Sequence, residues 1–183
     1  MMKLLILIRG LSGSGKTTLA DLIVSGNEKS GDVTADDFFL DDEGAYHFDF
    51  KKIKEAHYWC QGETKEMMEE GLEVIVVHNT FKMQWEAVPY FNLAREYSYD
   101  VQVVSLYDAG LSDEDLSKRC VHGLTARQIG DQRGKWDLNI HPHRKNRPRA
   151  PKYNMPPPSW GALPPHPYQN DHRRWRSKSG KGY

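Results

Sequence analysis

The sequence predicts an α/β fold, a parallel sheet flanked by helices, and three observations predict it. Its apolar runs are short, continuous and rich in Val, Ile and Leu, as in strands buried on both faces. These runs alternate with helical stretches from residue 3 to about 137, and helical crossovers make the joined strands parallel. A glycine-rich octapeptide separates the first run from the first helix.

Lys3 to Arg9, centred on Leu4-Leu5-Ile6-Leu7-Ile8, reads as the first strand, broken by Gly10 to Gly15. A helix begins at Lys16 with Leu19, Ala20, Leu22 and Ile23 as its apolar stripe. Asp32 to Ala35 reads as a second short strand ending at Asp36-Asp37. Phe48 to Glu70 is a long charged helix whose inner-face candidates are Ile53, Ala56, Trp59, Cys60 and Met67, and Gly71 stops it. Glu73 to Val77 is the third strand. Met83 to Tyr97 is a helix kinked or split at Pro89, because proline lacks an N–H and crowds the preceding turn. Val101 to Leu106 is the fourth strand. Ser112 to Cys120 opens with a capping signature, Ser112 with Asp115, and Thr125 to Trp136 is the last helix.

The chain has 183 residues, enough for one domain with one core, and a formal net charge of zero. The zero hides a division. Residues 1–140 carry 15 basic and 24 acidic side chains, a net of −9, while residues 141–183 carry 10 and 1, a net of +9. The same tail holds nine of the ten prolines. An acidic globular body, 1–140, is thus followed by a basic proline-rich tail, 141–183, which is expected to be disordered or polyproline II. No apolar run approaches the roughly 20 residues of a membrane-spanning helix, and the first run is too short for a signal-peptide core. Cys60 and Cys120 lack zinc spacing and are expected to be reduced thiols in a cytoplasmic or nuclear protein.

Gly10-Leu11-Ser12-Gly13-Ser14-Gly15-Lys16-Thr17 fits G-x-x-x-x-G-K-[ST] at every fixed position, after a strand and before a helix. This is the context the chemistry needs. Glycines let successive N–H groups point inward at phosphate oxygens, and the helix adds its positive dipole end. Gly10, Ser12, Gly13, Ser14, Gly15, Lys16, Thr17 and Thr18 are therefore the ATP-binding candidates, with Lys16 neutralising β/γ-phosphate charge and Thr17 offering its hydroxyl to Mg²⁺. About 20 residues on comes Thr34-Ala35-Asp36-Asp37-Phe38-Phe39. With the second strand beside the first, Asp36 would sit near the γ-phosphate and accept the proton of an attacking hydroxyl. Position alone equally allows Asp36 and Asp37 to cap a helix or line a solvated loop.

Leu4 to Thr18, Thr34 to Phe39, His78-Asn79-Thr80 and Leu116-Ser117-Lys118-Arg119-Cys120-Val121-His122-Gly123 together resemble the polynucleotide 5′-hydroxyl kinase-like P-loop domains, among them that of the Nedd-four-binding protein group. The resemblance covers residues 3–137. It implies a P-loop NTPase of adenylate-kinase-like topology, with about five parallel strands and a helical lid. It implies an ATP- and Mg²⁺-dependent kinase whose acceptor is a nucleic acid or nucleotide. Asp36 matches the general base, Asp37 an orienting neighbour, and Asn79 and Thr80 the substrate-contacting step. Arg119 matches the first lid arginine, and Arg127 and Arg133 are candidates for the second. Two positions depart from the family pattern. Phe39 stands where phage polynucleotide kinase has a phosphate-binding arginine, and His78 stands where an acid is common. Those departures leave open a nucleoside or small-metabolite kinase, or a nucleotide-binding adaptor without catalysis.

Other features carry blander readings. Asp41-Asp42-Glu43 reads as a solvated turn ending at Gly44, ahead of a second metal site. Tyr58, Trp59 and Trp85 read as core before base-stacking platforms, Lys51, Lys52 and Lys54 as a wet helix face, and His78 as a packed strand-end histidine before a catalytic group. The tail's charge, interspersed with Tyr153, Trp160, Tyr168 and Trp175, reads as a nucleic-acid tether, and Pro156-Pro157-Pro158 and Pro164-Pro165 as docking points for a proline-motif-binding protein.

Overall fold

A computed structural model describes residues 3–142. The strands are β1 (Leu4–Gly10), β2 (Ser30–Val33), β3 (Val74–Val77) and β4 (Asp100–Tyr107). The helices are α1 (Lys16–Ser25), α2 (Ile53–Glu69), α3 (Gln84–Glu96), α4 (Asp113–Arg119) and α5 (Ala126–Gly134). All strand pairs are parallel, in the order β2-β3-β1-β4. Among the described residues the sheet has four strands, one fewer than the resemblance implied; β1 and β3 are continuous apolar runs, whereas β2 is Ser-Gly-Asp-Val and lies at 30–33, two residues ahead of the expected 32–35. The readings of the tail fall on 141–183, of which 143–183 lie outside the described residues.

Period-two alternation sends β1 to both sides of the sheet. Leu5 and Leu7 join Ile75, Val77 and Val33 on the face covered by α2 and α3, through Ala56, Trp59, Cys60, Met67, Ala87, Tyr90 and Leu93. Ile6, Ile8 and Val76 pack on the other face against Ala20, Leu19 and Ile23 of α1. A third cluster joins the phosphate loop to the carboxy-terminal helices, because Leu11, Leu116 and Ile129 are all fully buried together. Burying each such aliphatic side chain stabilises the fold by about 1.5–3 kcal/mol.

Several expectations need correction. The second strand is not beside the first; β3 lies between them, with Val33 paired to Val77 and Ile6 to Val76. Leu22 is 67% exposed, because Leu19, Ile23 and Val24 already fill the stripe that meets the sheet. The long helix begins only at Ile53, after a 3-10 turn at Phe50–Lys52 capped by Asp49. The helix carrying Pro89 is not split: it runs unbroken from Gln84 to Glu96. Pro89 sits in its second turn, so one early hydrogen bond is lost, while Ala87, Tyr90, Leu93 and Ala94 anchor both sides of the proline in the core. Trp59 belongs to the core, as the blander reading held.

Candidate functional site

The phosphate loop is built from backbone. Gly13 has φ +83° and Gly15 has φ +91°, conformations that side chains rarely adopt. A Cβ on Gly13 would also lie 2.3 Å from the Leu116 carbonyl oxygen, so α4 closes one side of the loop at a distance only glycine allows. Gly15 is the N-cap of α1, whose first residue is Lys16. The Lys16 Nζ donates to the Leu11 carbonyl at 2.9 Å, and burial, partly offset by the charge of Asp36, pulls its pKa down to about 8. Thr17 and Thr18 are exposed in the first turn of α1. Ser14 Oγ is buried with no hydrogen-bond partner. Curled amides, a desolvated cation and an orphaned hydroxyl fit a polyphosphate, and the exposed Thr17 hydroxyl fits a Mg²⁺ that takes its other ligands from phosphate and water.

Asp36 reaches the same site although its strand is two places away in the sheet. Beyond β2 the chain enters a 3-10 turn, Ala35–Phe39, capped by Thr34 and Asp37. Asp37 accepts from the Thr34 amide at 3.2 Å and is buried, so its visible role is to shape this turn. Segment 40–47 then folds back, with Leu40 bridged to Tyr46 and the His47 amide donating to the Phe39 carbonyl at 2.7 Å. That return brings the Tyr46 hydroxyl to Asp36 Oδ1 at 3.2 Å. From the link between α4 and α5, His122 Nε2 reaches Asp36 Oδ2 at 3.3 Å, and its ring lies 4.8 Å from that of Tyr46. The Asp36 side chain stays 48% exposed. Burial works to raise its pKa, but His122, Tyr46 and the charge of Lys16 together hold it below the usual carboxylate range. Burial and the neighbouring Asp36 charge push the Tyr46 hydroxyl well up, so it remains a donor.

The remaining candidates separate into two groups. Asn79 is buried: its Oδ1 accepts from Thr34 Oγ1 at 3.1 Å and from the Ala35 amide at 2.9 Å, and its Nδ2 donates to Cys60 Sγ at 3.5 Å. It braces the turn that presents Asp36. Thr80 follows it, with its carbonyl accepting from the Gly10 amide at 3.3 Å. Arg133 donates to Asp108, to Asp113 at 2.8 Å and to the Leu111 carbonyl at 3.3 Å, and these carboxylates raise its pKa. It pins α5 to the segment ahead of α4. Arg119, the last residue of α4, and Arg127, in the first turn of α5, are exposed. His78 is buried against Asp32 at 3.1 Å, joining β3 to β2 inside the sheet.

Three participants carried no role in the sequence reading. His122 stands inside the L-x-x-R-x-x-H-G step, which was the signal for it. Tyr46 carried no signal, because a ten-residue loop return sets its contact. Gln132 of α5 holds the phosphate loop through both ends of its amide: Oε1 accepts from the Ser12 amide and Nε2 donates to Ser12 Oγ, each at 3.1 Å. The Asp41 carboxylate organises its turn, accepting from the Glu43 and Ala45 amides at 3.0 and 2.8 Å and meeting His47 at 2.7 Å. Among the described residues no group of three or more His, Cys, Asp or Glu is arranged to hold a metal.

A family model described as an AAA domain matches residues 5–119. The human NEDD4-binding protein 2 is 35% identical over 127 residues, which are 68% of this chain and 7% of that protein. Two solved structures, of a Pnkp1/Rnl/Hen1 complex and of the Pnkp1/Rnl/Hen1 RNA repair complex, contain chains of similar fold, with TM-scores of 0.52 and 0.54 at 20% and 18% identity. The similarity covers 65% and 81% of this chain and 39% and 50% of those chains. The chain therefore spans less than a tenth of the curated relative and at most half of these structural ones. No helix among the described residues is long and apolar enough to cross a membrane.

Proposed function

The chain belongs to the AAA-domain family, here in its P-loop kinase-like form, and from that premise we propose that it transfers the γ-phosphate of ATP to a hydroxyl of a nucleic acid or nucleotide, foremost a 5′-hydroxyl end. One observation supports this reading most: an ionised, half-exposed carboxylate, Asp36, faces the charge of the phosphate-loop lysine, although the two come from strands separated by β3.

In this reading Lys16 exchanges the Leu11 carbonyl for β/γ-phosphate oxygens, and the amides of residues 13 and 15–17 hold the triphosphate. The Thr17 hydroxyl would hold Mg²⁺, which would supply neutralisation of phosphate charge there. Asp36 accepts a hydrogen bond from the acceptor hydroxyl and then its proton, while Tyr46 and His122 fix the orientation of the carboxylate. A carboxylate of low pKa is a weak base, which suffices for a loose transition state in which the acceptor oxygen is only slightly bonded. In this reading Arg119 and Arg127 fork onto the transferring phosphate, while Arg133 holds their helices together. Asp37 and Asn79 act through the turn that carries Asp36, and Thr80 lines the acceptor side. The basic tail supplies a tether for the nucleic acid and a docking point for a proline-motif-binding protein.

The test is Asp36→Asn. Transfer to a 5′-hydroxyl oligonucleotide is expected to fall by about 10²–10⁴ while ATP binding persists. Transfer at the wild-type rate would eliminate Asp36 as the base. A wild-type protein that phosphorylates small hydroxyl compounds, or binds ATP with no turnover across a panel of acceptors, would replace the 5′-hydroxyl acceptor with the metabolite or the adaptor reading.

A further inference from the structure

Beside Asp36 lies a surface that the proposed reaction leaves unused. Tyr46, which donates to Asp36, stacks on Phe48 with ring planes 16° apart and centroids 6.2 Å apart. Phe39 is buried beneath, with its ring 5.1 Å from Phe48 and 6.0 Å from Tyr46. Phe48 is nevertheless 55% exposed, and Phe50, at the start of the 3-10 turn, is 79% exposed. Phe48 thus faces solvent one ring away from the carboxylate, and Phe50, two residues further along the chain, is exposed as well. Neither is needed to cover the core, which the rings of Phe38, Phe39 and Trp59 already close.

Charge says what covers them. The body carries a net −9, yet from Tyr46 to Lys54 the sequence has three lysines, Lys51, Lys52 and Lys54, against one acid, Asp49. Asp49 engages a carboxylate oxygen with the Lys51 amide at 2.9 Å. On the far side of the turn His57, one turn into α2, lies close enough to feel the charges of both Asp36 and Lys82. Exposed aromatic rings beside lysines match single-stranded nucleic acid, in which bases stack on rings while phosphates track the cations. The chain's own tail, net +9, would meet like charge here, and a second copy would bring its own lysines to the same patch.

We propose that Phe48 and Phe50 form a stacking platform for the bases at the 5′ end of a single-stranded nucleic acid, with Lys51 and Lys52 holding the phosphates that follow. The proposal rests on the kinase reading for its geometry, since the platform leads to Asp36, and it narrows the acceptor from any hydroxyl to the end of a strand. It also accounts for Phe39, which stands where an acceptor-binding arginine is expected: the acceptor is gripped instead through Phe48, which rests on Phe39.

The experiment measures binding of a fluorescent single-stranded 5′-hydroxyl oligonucleotide to the full chain by anisotropy, with ATP affinity measured in parallel. Phe50→Ala, at a position too exposed to affect folding, is expected to weaken oligonucleotide binding about fivefold or more, and Phe48→Ala/Phe50→Ala about tenfold or more, with ATP affinity unchanged. Phe48→Trp/Phe50→Trp is expected to restore binding. Lys51→Ala/Lys52→Ala is expected to reduce the slope of log affinity against log salt by about 0.7 for each phosphate that the lysines no longer neutralise. Oligonucleotide binding unchanged in both aromatic variants would overturn the platform, as would self-association abolished by Phe50→Ala, which would assign the rings to a second copy. Failure of the kinase reading appears elsewhere, as absence of transfer by the wild-type chain, and leaves the binding result standing.

Discussion

The donor side and the acceptor side of the cleft are built on different principles. The donor side is one stretch of chain: eight consecutive residues, Gly10 to Thr17, shaped by left-handed glycines at 13 and 15 and including the lysine and the threonine. The acceptor side is side chains from three separate segments, Asp36, Tyr46 with Phe48, and His122, brought together by a turn, a loop return and a helix link. A backbone site is specified by local conformation and therefore by consecutive sequence. A side-chain site is specified by packing and tolerates substitution wherever another element can supply the group. The chain keeps the full phosphate-loop pattern and carries Phe39 and His78 where the resemblance implies other residues. His78 is paired with Asp32 inside the sheet, so that departure reinforces the β2–β3 junction and leaves the cleft itself alone.

The largest effect on this contrast is expected from Asn79→Ala. The resemblance makes Asn79 a substrate contact, whereas its amide braces Thr34 and Ala35. Removal strands a buried N–H and hydroxyl, and a loss of about 2–4 kcal/mol in unfolding free energy by denaturant titration is expected, with a lower transfer rate through a misplaced Asp36. Full stability with only a raised acceptor KM would return Asn79 to the substrate. Arg133→Ala comes next. It frees Asp108 and Asp113 and is expected to cost about 1–3 kcal/mol, whereas Arg127→Ala is expected to leave stability unchanged and to lower transfer. Equal stability in both variants would remove the distinction between strut and lid arginine. The smallest effect is in pH. Lys16 loses its proton as pH rises through about 8, so ATP affinity is expected to fall above that pH by at most about tenfold per unit. Because the Asp36 charge holds the lysine's pKa up, Asp36→Asn should move that decline to lower pH. Calorimetric titrations that are flat across this range would show that the phosphate loop does not depend on the lysine's charge.

The sequence was most legible where residues act on near neighbours. β1 and β3 are uninterrupted apolar runs, Ser112 and Thr125 cap the helices they precede, and Gly71, with φ +78°, ends the helix it was expected to end. Legibility failed where a distant element decided the outcome. Leu22 lies on the predicted stripe of its helix, but the sheet is narrow enough for Leu19, Ile23 and Val24 to cover it. Pro89 reads as a kink or a split, and the split does not occur because the core holds both sides of its helix. Arg133 and Arg127 are equivalent in sequence, yet Arg133 meets two carboxylates, Asp108 ahead of α4 and Asp113 at its first residue.

Adjacent residues were enough to specify the alternating parallel sheet and the amide cradle with Lys16 and Thr17, because strand burial and glycine conformation are local properties. Long-range packing was needed to place β3 between β1 and β2, and to bring Asp36 to the cradle all the same. It was also needed to make Tyr46 and His122, not a neighbouring residue, the groups that hold that carboxylate. Strand order and side-chain meeting points depend on which surfaces bury each other, and that information is spread over residues some 86 positions apart, from Asp36 to His122.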